Sequence, residues 1–272
     1  MQISPSPSLA GIVKHYLIVQ SEKDMRLHYR LFSDGNPGIV FHFKDPLIQL
    51  SANNQGSGIQ PGSFVYGQVT DYKDLRSNGP LGMFVVVLQP YGIHSLLPLP
   101  ACELKNCTVA LRDLFGHEAM DLEDEIIHSQ KRDLTIATIE RFLLKRIIYK
   151  NEPDPLLKES LQLIYKFAGL ITMEELLKKI PITERQLERK FSQYIGTSPK
   201  KYSDIIRLHH FLKLLQGQSS TGKISDAVYE SGYYDHSHMN SYFRKITGTT
   251  PLEYKINHRL LATNFIQLST RQ

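Results

Sequence analysis

The sequence predicts an α+β protein, in which a β-rich N-terminal domain shaped as a barrel or sandwich precedes an all-α domain. Three observations predict this class. Short segments rich in β-branched and aromatic residues fill roughly the first 90 residues. Apolar residues recur at helical spacing after Pro100. Finally, a segment of the helical part is repeated near the C-terminus.

The β-rich part contains five segments that read as strands and are divided by turn signals such as Asp34-Gly35 and Pro61-Gly62. Repeated short strands at this spacing are typical of an antiparallel barrel or sandwich. The five segments are residues 12–20, 26–32, 38–45, 63–71 and 82–89.

A helical extension follows the strands, with apolar residues at helical spacing over 109–116, 119–129 and 133–149. Two prolines then interrupt the pattern within 151–155, which we interpret as a linker. We therefore expect one domain over 1–150, β-rich to about residue 100 and helical after it, and a helical domain over 156–262.

Composition indicates a folded cytoplasmic protein. Of 272 residues, 41% are apolar and 22% are charged, and no apolar run reaches the length of a membrane span. The N-terminus lacks a secretory signal pattern. Cys102 and Cys107 are too few for a disulfide framework, which favours a reducing compartment.

The positive charge is concentrated in the second half of the chain. Residues 151–272 hold 17 Lys and Arg against 12 Asp and Glu, whereas residues 1–150 hold 15 of each. A basic half indicates a polyanionic partner, although many basic surfaces bind nothing.

Two capping boxes mark closely spaced helix starts in the helical part. Thr172 is followed three residues later by Glu175, and Thr183 by Gln186, so each hydroxyl and its partner side chain satisfy free amides at a helix start. Pro181 ends the first of these helices. Two short helices joined by a tight turn form a helix-turn-helix.

An internal repeat predicts a second unit of the same kind. Residues 191–202, Phe-Ser-Gln-Tyr-Ile-Gly-Thr-Ser-Pro-Lys-Lys-Tyr, recur 52 residues later as 243–254, with Phe, Gly, Thr, Pro and Tyr in register. Gly196 and Gly248 suit the left-handed residue that ends a helix. A long helix over about 199–215 would join the two units and set their second helices roughly 34 Å apart, one turn of DNA.

Residues 156–259 resemble the DNA-binding domain of the AraC/XylS family, most strongly over 232–254, where Gly, Asp-x-Ser-His, Phe, Gly-x-Thr-Pro and Tyr keep the family's spacing. The N-terminal part looks like a sensor-like domain that precedes such modules in an uncharacterised subgroup, on Phe64-Val-Tyr-Gly67, Gln89-Pro-Tyr-Gly92 and the segment 102–116. The resemblance implies a transcription regulator, with promoter DNA and RNA polymerase as partners, a small-molecule effector and a homodimer.

The resemblance also implies which side chains meet DNA, since the second helix of each unit enters the major groove in that family. A solvated charged face is the alternative for the same residues. We expect His238 to pack inside the second unit, and Lys200, Lys201 and Arg207 on the joining helix to be solvated. Ser241 departs from the family, because the position matching Arg189 is commonly basic. The candidate DNA-binding residues are Arg185, Gln186, Glu188, Arg189 and Lys190 in the first unit, and His236, Ser237, Asn240, Ser241, Arg244 and Lys245 in the second.

The sequence shows no catalytic motif, so we expect no enzyme activity, no cofactor and no metal. His42 and His94 lack the His-x-His spacing of a metal-binding cupin. The alternative is a small-molecule-binding or enzymatic N-terminal domain that a DNA-binding module localises. Five aromatic residues either line an effector site at the mouth of the barrel or simply fill its core; these are Tyr16, Phe41, Tyr66, Phe84 and Tyr91. The stretch 119–149 is a candidate dimer surface.

Overall fold

The computed structural model describes residues 1–22, 26–50, 58–129, 131–147, 154–217, 223–233, 235–257 and 259–268. In these residues the strands form two six-stranded antiparallel sheets. The strands are β1 (Gln2–Ile3), β2 (Val13–Ser21), β3 (His28–Leu31), β4 (Gly38–His42), β5 (Ile48–Leu50), β6 (Gly58–Ile59), β7 (Ser63–Tyr66), β8 (Lys73–Arg76), β9 (Leu81–Leu88), β10 (Thr108–Ala110), β11 (Leu260–Ala262) and β12 (Phe265–Gln267).

The first sheet has the strand order β1-β2-β9-β4-β7-β10. Every residue of β4 and β9 is buried. These strands read as continuous apolar runs because both faces of the sheet are covered: one by the helical extension, the other by the second sheet. The five predicted segments overlap β2, β3, β4, β7 and β9, which confirms them.

The second sheet has the order β11-β12-β3-β8-β5-β6. Apart from β3, the strands of this sheet were not predicted from the sequence, because each is only two to four residues long. Strand β8, Lys-Asp-Leu-Arg, is also mostly polar. Such strands carry too few residues to show an alternating pattern.

The helices follow the predicted order. They are α1 (Gly92–Leu96), α2 (Leu111–Phe115), α3 (His117–His128), α4 (Arg132–Arg146), α5 (Pro155–Lys166), α6 (Met173–Lys179), α7 (Glu184–Tyr194), α8 (Pro199–Gly217), α9 (Ile224–Glu230), α10 (His236–Thr247) and α11 (Pro251–Ile256). Helices α2, α3 and α4 correspond to the predicted helical extension. Of the predicted linker, residues 151–153 lie outside the described residues, and α5 begins at Pro155 after its N-cap Asp154. Among the described helices, none combines the length and apolar character needed to cross a membrane.

The helical domain contains two hydrophobic clusters, one for each helix-turn-helix unit. Leu187 and Phe191 of α7 lie in the first cluster, and Met239 and Phe243 of α10 lie in the second. Helix α8 contributes Tyr202 to the first cluster and several residues, among them Phe211, to the second, so it is the shared support of both units.

The C-terminus differs from the sequence prediction, which was helical throughout after Leu156. Residues 260–267 instead form β11 and β12, and β12 pairs with β3 of the N-terminal domain, with Phe265 opposite Leu31. The partner strand lies more than 200 residues away in sequence. A local pattern therefore could not reveal the pairing.

Candidate nucleic-acid interface

The first unit is α6, a tight turn and α7, and both helices start at the predicted capping boxes. The Thr172 hydroxyl accepts from the Glu175 amide at 3.2 Å, and the Thr183 hydroxyl accepts from the Gln186 amide at 3.3 Å. Both boxes are closed from the other side, because Glu175 and Gln186 accept from the threonine amides. The orientation of α7 is therefore fixed at its first turn.

Helix α7 has one buried and one outward face. Leu187 and Phe191 are 0% exposed, whereas Arg185 and Arg189 are exposed and Glu188 is half-buried. Within the described part of the chain, no hydrogen bond or ion pair engages either arginine. Both guanidinium groups therefore have donors to offer to a guanine edge or a phosphate.

Two other candidates on α7 are already engaged. The Gln186 side-chain oxygen closes the capping box at 3.1 Å from the Thr183 amide. Lys190 donates to Asp154, which also accepts from the Leu156 and Leu157 amides as N-cap of α5. Burial by itself would raise the pKa of Asp154, but these hydrogen bonds and the lysine charge lower it. Lys190 thus connects α7 to the N-cap of α5 through an ion pair. This role could not be predicted from the sequence, because it depends on how the two helices pack.

The second unit is α9, a turn and α10. The Asp235 carboxylate accepts from the Ser237 amide at 2.8 Å at the start of α10, and Gly248 ends the helix with φ +67°. Except for the half-buried His236, whose ring meets Tyr229 edge-on at 5.5 Å, all predicted DNA-facing residues of α10 are exposed. They are Ser237, Asn240, Ser241, Arg244 and Lys245.

Two expectations for neighbouring residues are wrong. His238 was expected to pack, but its side chain is exposed, because the adjacent Met239 takes the inward position on α10. Arg207 was expected to be solvated. Its Nε instead donates to the Ser231 carbonyl at 3.1 Å, and its guanidinium lies 3.9 Å from the centre of the Tyr233 ring. Arg207 therefore fastens α8 to the end of α9.

The N-terminal domain touches the end of α7. The ring of Tyr194 packs against that of His94, with 4.3 Å between centres. Gly196 (φ +87°) lies so close to the short 3-10 helix Ala101–Leu104 that a Cβ there would come within 2.7 Å of the Ala101 carbonyl oxygen. The first unit therefore rests directly on the N-terminal domain.

A second candidate site is a cavity of about 720 Å³ between the two sheets and α8. Its walls are mostly apolar, and Tyr66 is the residue among the five predicted aromatics that lines it. Tyr16, Phe41 and Phe84 instead belong to the hydrophobic cluster under the helical extension, and Tyr91 packs against the first unit.

One end of the cavity is polar and carries Lys14, Asp34, His209 and Lys213. Burial lowers the pKa of Lys14, and Lys213 lowers it further, while Asp34 opposes the shift. Burial also lowers the pKa of His209, whose Nε2 lies 2.8 Å from the Ser33 carbonyl oxygen. Apolar walls with a partly desolvated cationic end suit a molecule with an apolar body and a polar or anionic group.

His42, the strand histidine considered as a metal ligand, contacts a side chain of the N-terminal domain. It is buried on β4, and its Nε2 lies 3.2 Å from the Gln60 side-chain oxygen. Burial lowers its pKa to about 4, so the ring is neutral at pH 7. Over the residues that the structure describes, no group of three His, Cys, Asp or Glu side chains is placed to hold a metal ion.

Two protein families match separate parts of the chain. Residues 1–110 match the family described as "Domain of unknown function (DUF6597)", and residues 176–256 match the family described as "Helix-turn-helix domain". The HTH-type transcriptional activator RhaS of Escherichia coli O139:H28 (strain E24377A / ETEC) is 21% identical over 141 residues, 51% of this chain and 50% of that protein. The lactose operon transcription activator of Staphylococcus xylosus is 34% identical over 85 residues, 31% of this chain and 30% of that protein.

This chain thus spans half or less of the length of these relatives. A crystal structure of an apo variant of ToxT from Vibrio cholerae strain SCE256 is similar over 88% of this chain and 96% of that one, with 15% sequence identity and a TM-score of 0.50. The likeness shows a shared fold, in which a β-rich N-terminal domain is followed by a helix-turn-helix domain.

Proposed function

We propose that this chain is a sequence-specific DNA-binding transcription regulator of the AraC/XylS type, because residues 176–256 match the helix-turn-helix family. The observation that carries the proposal is the outward face of α7, where Arg185 and Arg189 are exposed on a helix whose opposite face is buried. A helix presented in this way can enter the major groove and bond base edges.

We assign the two units different roles. In the first, Arg185 and Arg189 bond guanine, and Glu188 accepts from cytosine. In the second, α10 offers uncharged polar groups, with Arg244 and Lys245 placed for phosphates. Base reading therefore depends mainly on α7. Gln186 and Lys190 remain in the proposed interface as flanking residues, even though each has a partner within the protein.

The cavity next to α8 is the proposed effector site. Its wall includes α8 residues such as His209 and Lys213, and α8 supports both units. A ligand there would contact the N-terminal domain and the helical domain at once. Its binding energy would therefore depend on the relative position of the two domains.

The remaining parts of the proposal concern the direction of regulation, the partners and the oligomeric state. RhaS and the lactose operon protein are named as activators, so we propose that this chain activates transcription through contact with RNA polymerase. We place this activity in the cytoplasm, and we propose that the chain binds DNA without catalysing a reaction. A homodimer, formed through the exposed side of α3 and α4, completes the proposal. Within one chain, the two helix-turn-helix units lie in a fixed order along α8, so the two DNA half-sites that they bind follow in the same order.

The experiment that tests the proposal is selection of genomic DNA fragments by the purified full chain at near-physiological salt, followed by sequencing. We expect a small set of promoter fragments that share a motif. Retention of random fragments that are lost as salt rises would show phosphate binding alone and would contradict sequence-specific regulation. A parallel screen for enzymatic turnover tests the competing view that the N-terminal domain is an enzyme.

A further inference from the structure

A groove runs along the outward face of α10, and one of its walls belongs to the N-terminal domain. The groove is bounded by Ser241, Arg244 and Lys245 of α10, by Thr250 at the start of α11, and by Tyr72, which immediately precedes β8. Tyr72 is 40% exposed. A side chain from a distant part of the sequence thus lies beside the second recognition helix.

Tyr72 is held in place by Arg30 of β3. The guanidinium carbon of Arg30 lies 4.2 Å from the centre of the Tyr72 ring. The same guanidinium binds both carboxylate oxygens of Asp74, at 2.6 and 2.8 Å. The Arg30 side chain is only 13% exposed. The paired bonds to Asp74 fix the guanidinium, and its cation–π contact favours the observed orientation of the Tyr72 ring.

The same arginine fixes the end of α10. Its Nη1 donates to the Gly248 carbonyl oxygen at 2.5 Å. This carbonyl lies at the C-terminus of α10, where the helix dipole favours a cation. A Cβ at position 248 would approach the Tyr72 ring to 2.9 Å, so glycine allows the contact. Arg30 therefore sets the distance between α10 and Tyr72.

From this arrangement we propose that the N-terminal domain forms part of the DNA interface of the second unit, with the Tyr72 hydroxyl donating to a backbone phosphate and Arg30 as its positioning residue. The inference rests on the proposed DNA-binding function. Tyrosine hydroxyls are among the usual donors to phosphate oxygens. The contact adds a neutral phosphate donor beside Arg244 and Lys245, and so extends the phosphate binding that we assign to α10.

The neighbouring residue Asp71 gives the proposal a second, opposite test. Asp71 is exposed and accepts from the Thr70 hydroxyl at 3.2 Å. With a DNA strand against Tyr72, the Asp71 carboxylate repels the phosphates. Removing its charge should therefore strengthen binding, whereas removing the Tyr72 hydroxyl should weaken it.

The experiment uses the full chain and measures dissociation constants over a salt series. The probes are a duplex recovered in the selection above and a scrambled duplex at low salt. For Tyr72→Phe we expect about 5-fold weaker binding to both probes, the value of one hydrogen bond. The salt slope should not change, because a neutral donor releases no counterion. Asp71→Asn should bind about 2-fold more tightly at low salt.

Asp113→Asn is the matched control, since it removes the same charge from an exposed position of α2, which contacts β7 of the first sheet and lies outside the proposed dimer surface. Equal tightening of DNA binding by Asp113→Asn would overturn the local explanation. Arg30→Lys keeps the charge but not the paired bonds. In footprinting experiments we expect this variant to lose protection of the DNA backbone at the half-site bound by α10. The half-site bound by α7 should stay protected.

Unchanged or tighter binding by Tyr72→Phe would overturn the inference. If Arg189→Ala weakens binding and Tyr72→Phe does not, only this inference fails. If the wild-type chain binds neither duplex, the proposed function fails, and this inference fails with it.

Discussion

Phe265 and Ile266 are consecutive residues of β12, yet their side chains are buried in two different hydrophobic clusters. Phe265 is 4% exposed in the cluster between the two sheets, where its ring lies 5.4 Å from that of Tyr29. Ile266 is 0% exposed and belongs to the cluster of the second unit, with Phe243. Successive side chains of a strand point to opposite faces, so β12 is a part of both cores.

A first prediction concerns this shared strand. Ile266→Ala should lower the free energy of unfolding by about 2–4 kcal/mol, because it leaves a cavity in the core of the second unit. Hydrogen exchange should accelerate more in α10 than in α7. Ile59→Ala, at a site 71% exposed, is the control and should cost less than about 0.5 kcal/mol. Equal acceleration in both helices would contradict the assignment of Ile266 to the second unit.

A second prediction concerns base reading by α7. Arg185→Ala or Arg189→Ala should each weaken binding to the preferred sequence by about 1–3 kcal/mol and relax specificity at the contacted base pair. Lys178→Ala removes a charge on α6 that pairs with Glu174 at 2.6 Å, and should leave the preferred sequence unchanged. Binding selections with each variant provide the measurement. If both arginine variants kept the preferred DNA sequence of the wild type, Arg185 and Arg189 would not belong to the base-reading interface.

A third prediction concerns pH. Burial lowers the pKa of His42 to about 4 in the folded chain, below the ordinary 6.5. Between these values the unfolded chain binds a proton that the folded chain does not. The neutral His42 ring therefore contributes fully to the free energy of unfolding above pH 6.5. As the pH falls from 6.5 to 4, protonation of the unfolded chain lowers that free energy by about 3 kcal/mol.

The corresponding measurement is urea unfolding at a series of pH values for the wild type and for His42→Gln. Although less stable at neutral pH, the variant should lose less stability on acidification. His117→Gln changes an exposed histidine of α3 and should follow the wild type. Parallel curves for His42→Gln and the wild type would show that the buried ring does not titrate as stated.

A fourth prediction concerns Lys14 at the polar end of the cavity. Burial lowers the pKa of Lys14, but its side chain is exposed to the cavity, where solvent screens the charge. The charged form is therefore only slightly disfavoured, and Lys14→Met should raise Tm by roughly 1 °C. The gain should shrink as pH rises from the lowered pKa toward the ordinary 10.5, because folded Lys14 is then already neutral. Lys131→Met, at an exposed site, should leave Tm unchanged. A lower Tm for Lys14→Met would mean that the charge stabilises the ligand-free chain.

Much of the helical domain was predictable, because its determinants are local. The capping boxes at Thr172 and Thr183 and the left-handed glycines 196 and 248 each specify a helix boundary within a few residues of sequence. The long strands β2, β4 and β9 were equally visible as apolar runs. The buried faces of α7 and α10 followed from helical periodicity, whereas the outward residues were named from the resemblance to the AraC/XylS family. His238, which was expected to pack, is exposed.

What the sequence by itself determined, then, is the two-part α+β architecture, the repeated unit and the side chains on the outer faces of α7 and α10. The tertiary structure alone decided the pairing of β12 with β3, the engagement of Lys190 by Asp154, the cavity beside α8, and the approach of Arg30 and Tyr72 to Gly248. The physical reason is that capping and amphipathic periodicity act between residues a few positions apart. Strand pairing, ion pairs and cavities instead depend on which distant segments the packed cores bring together.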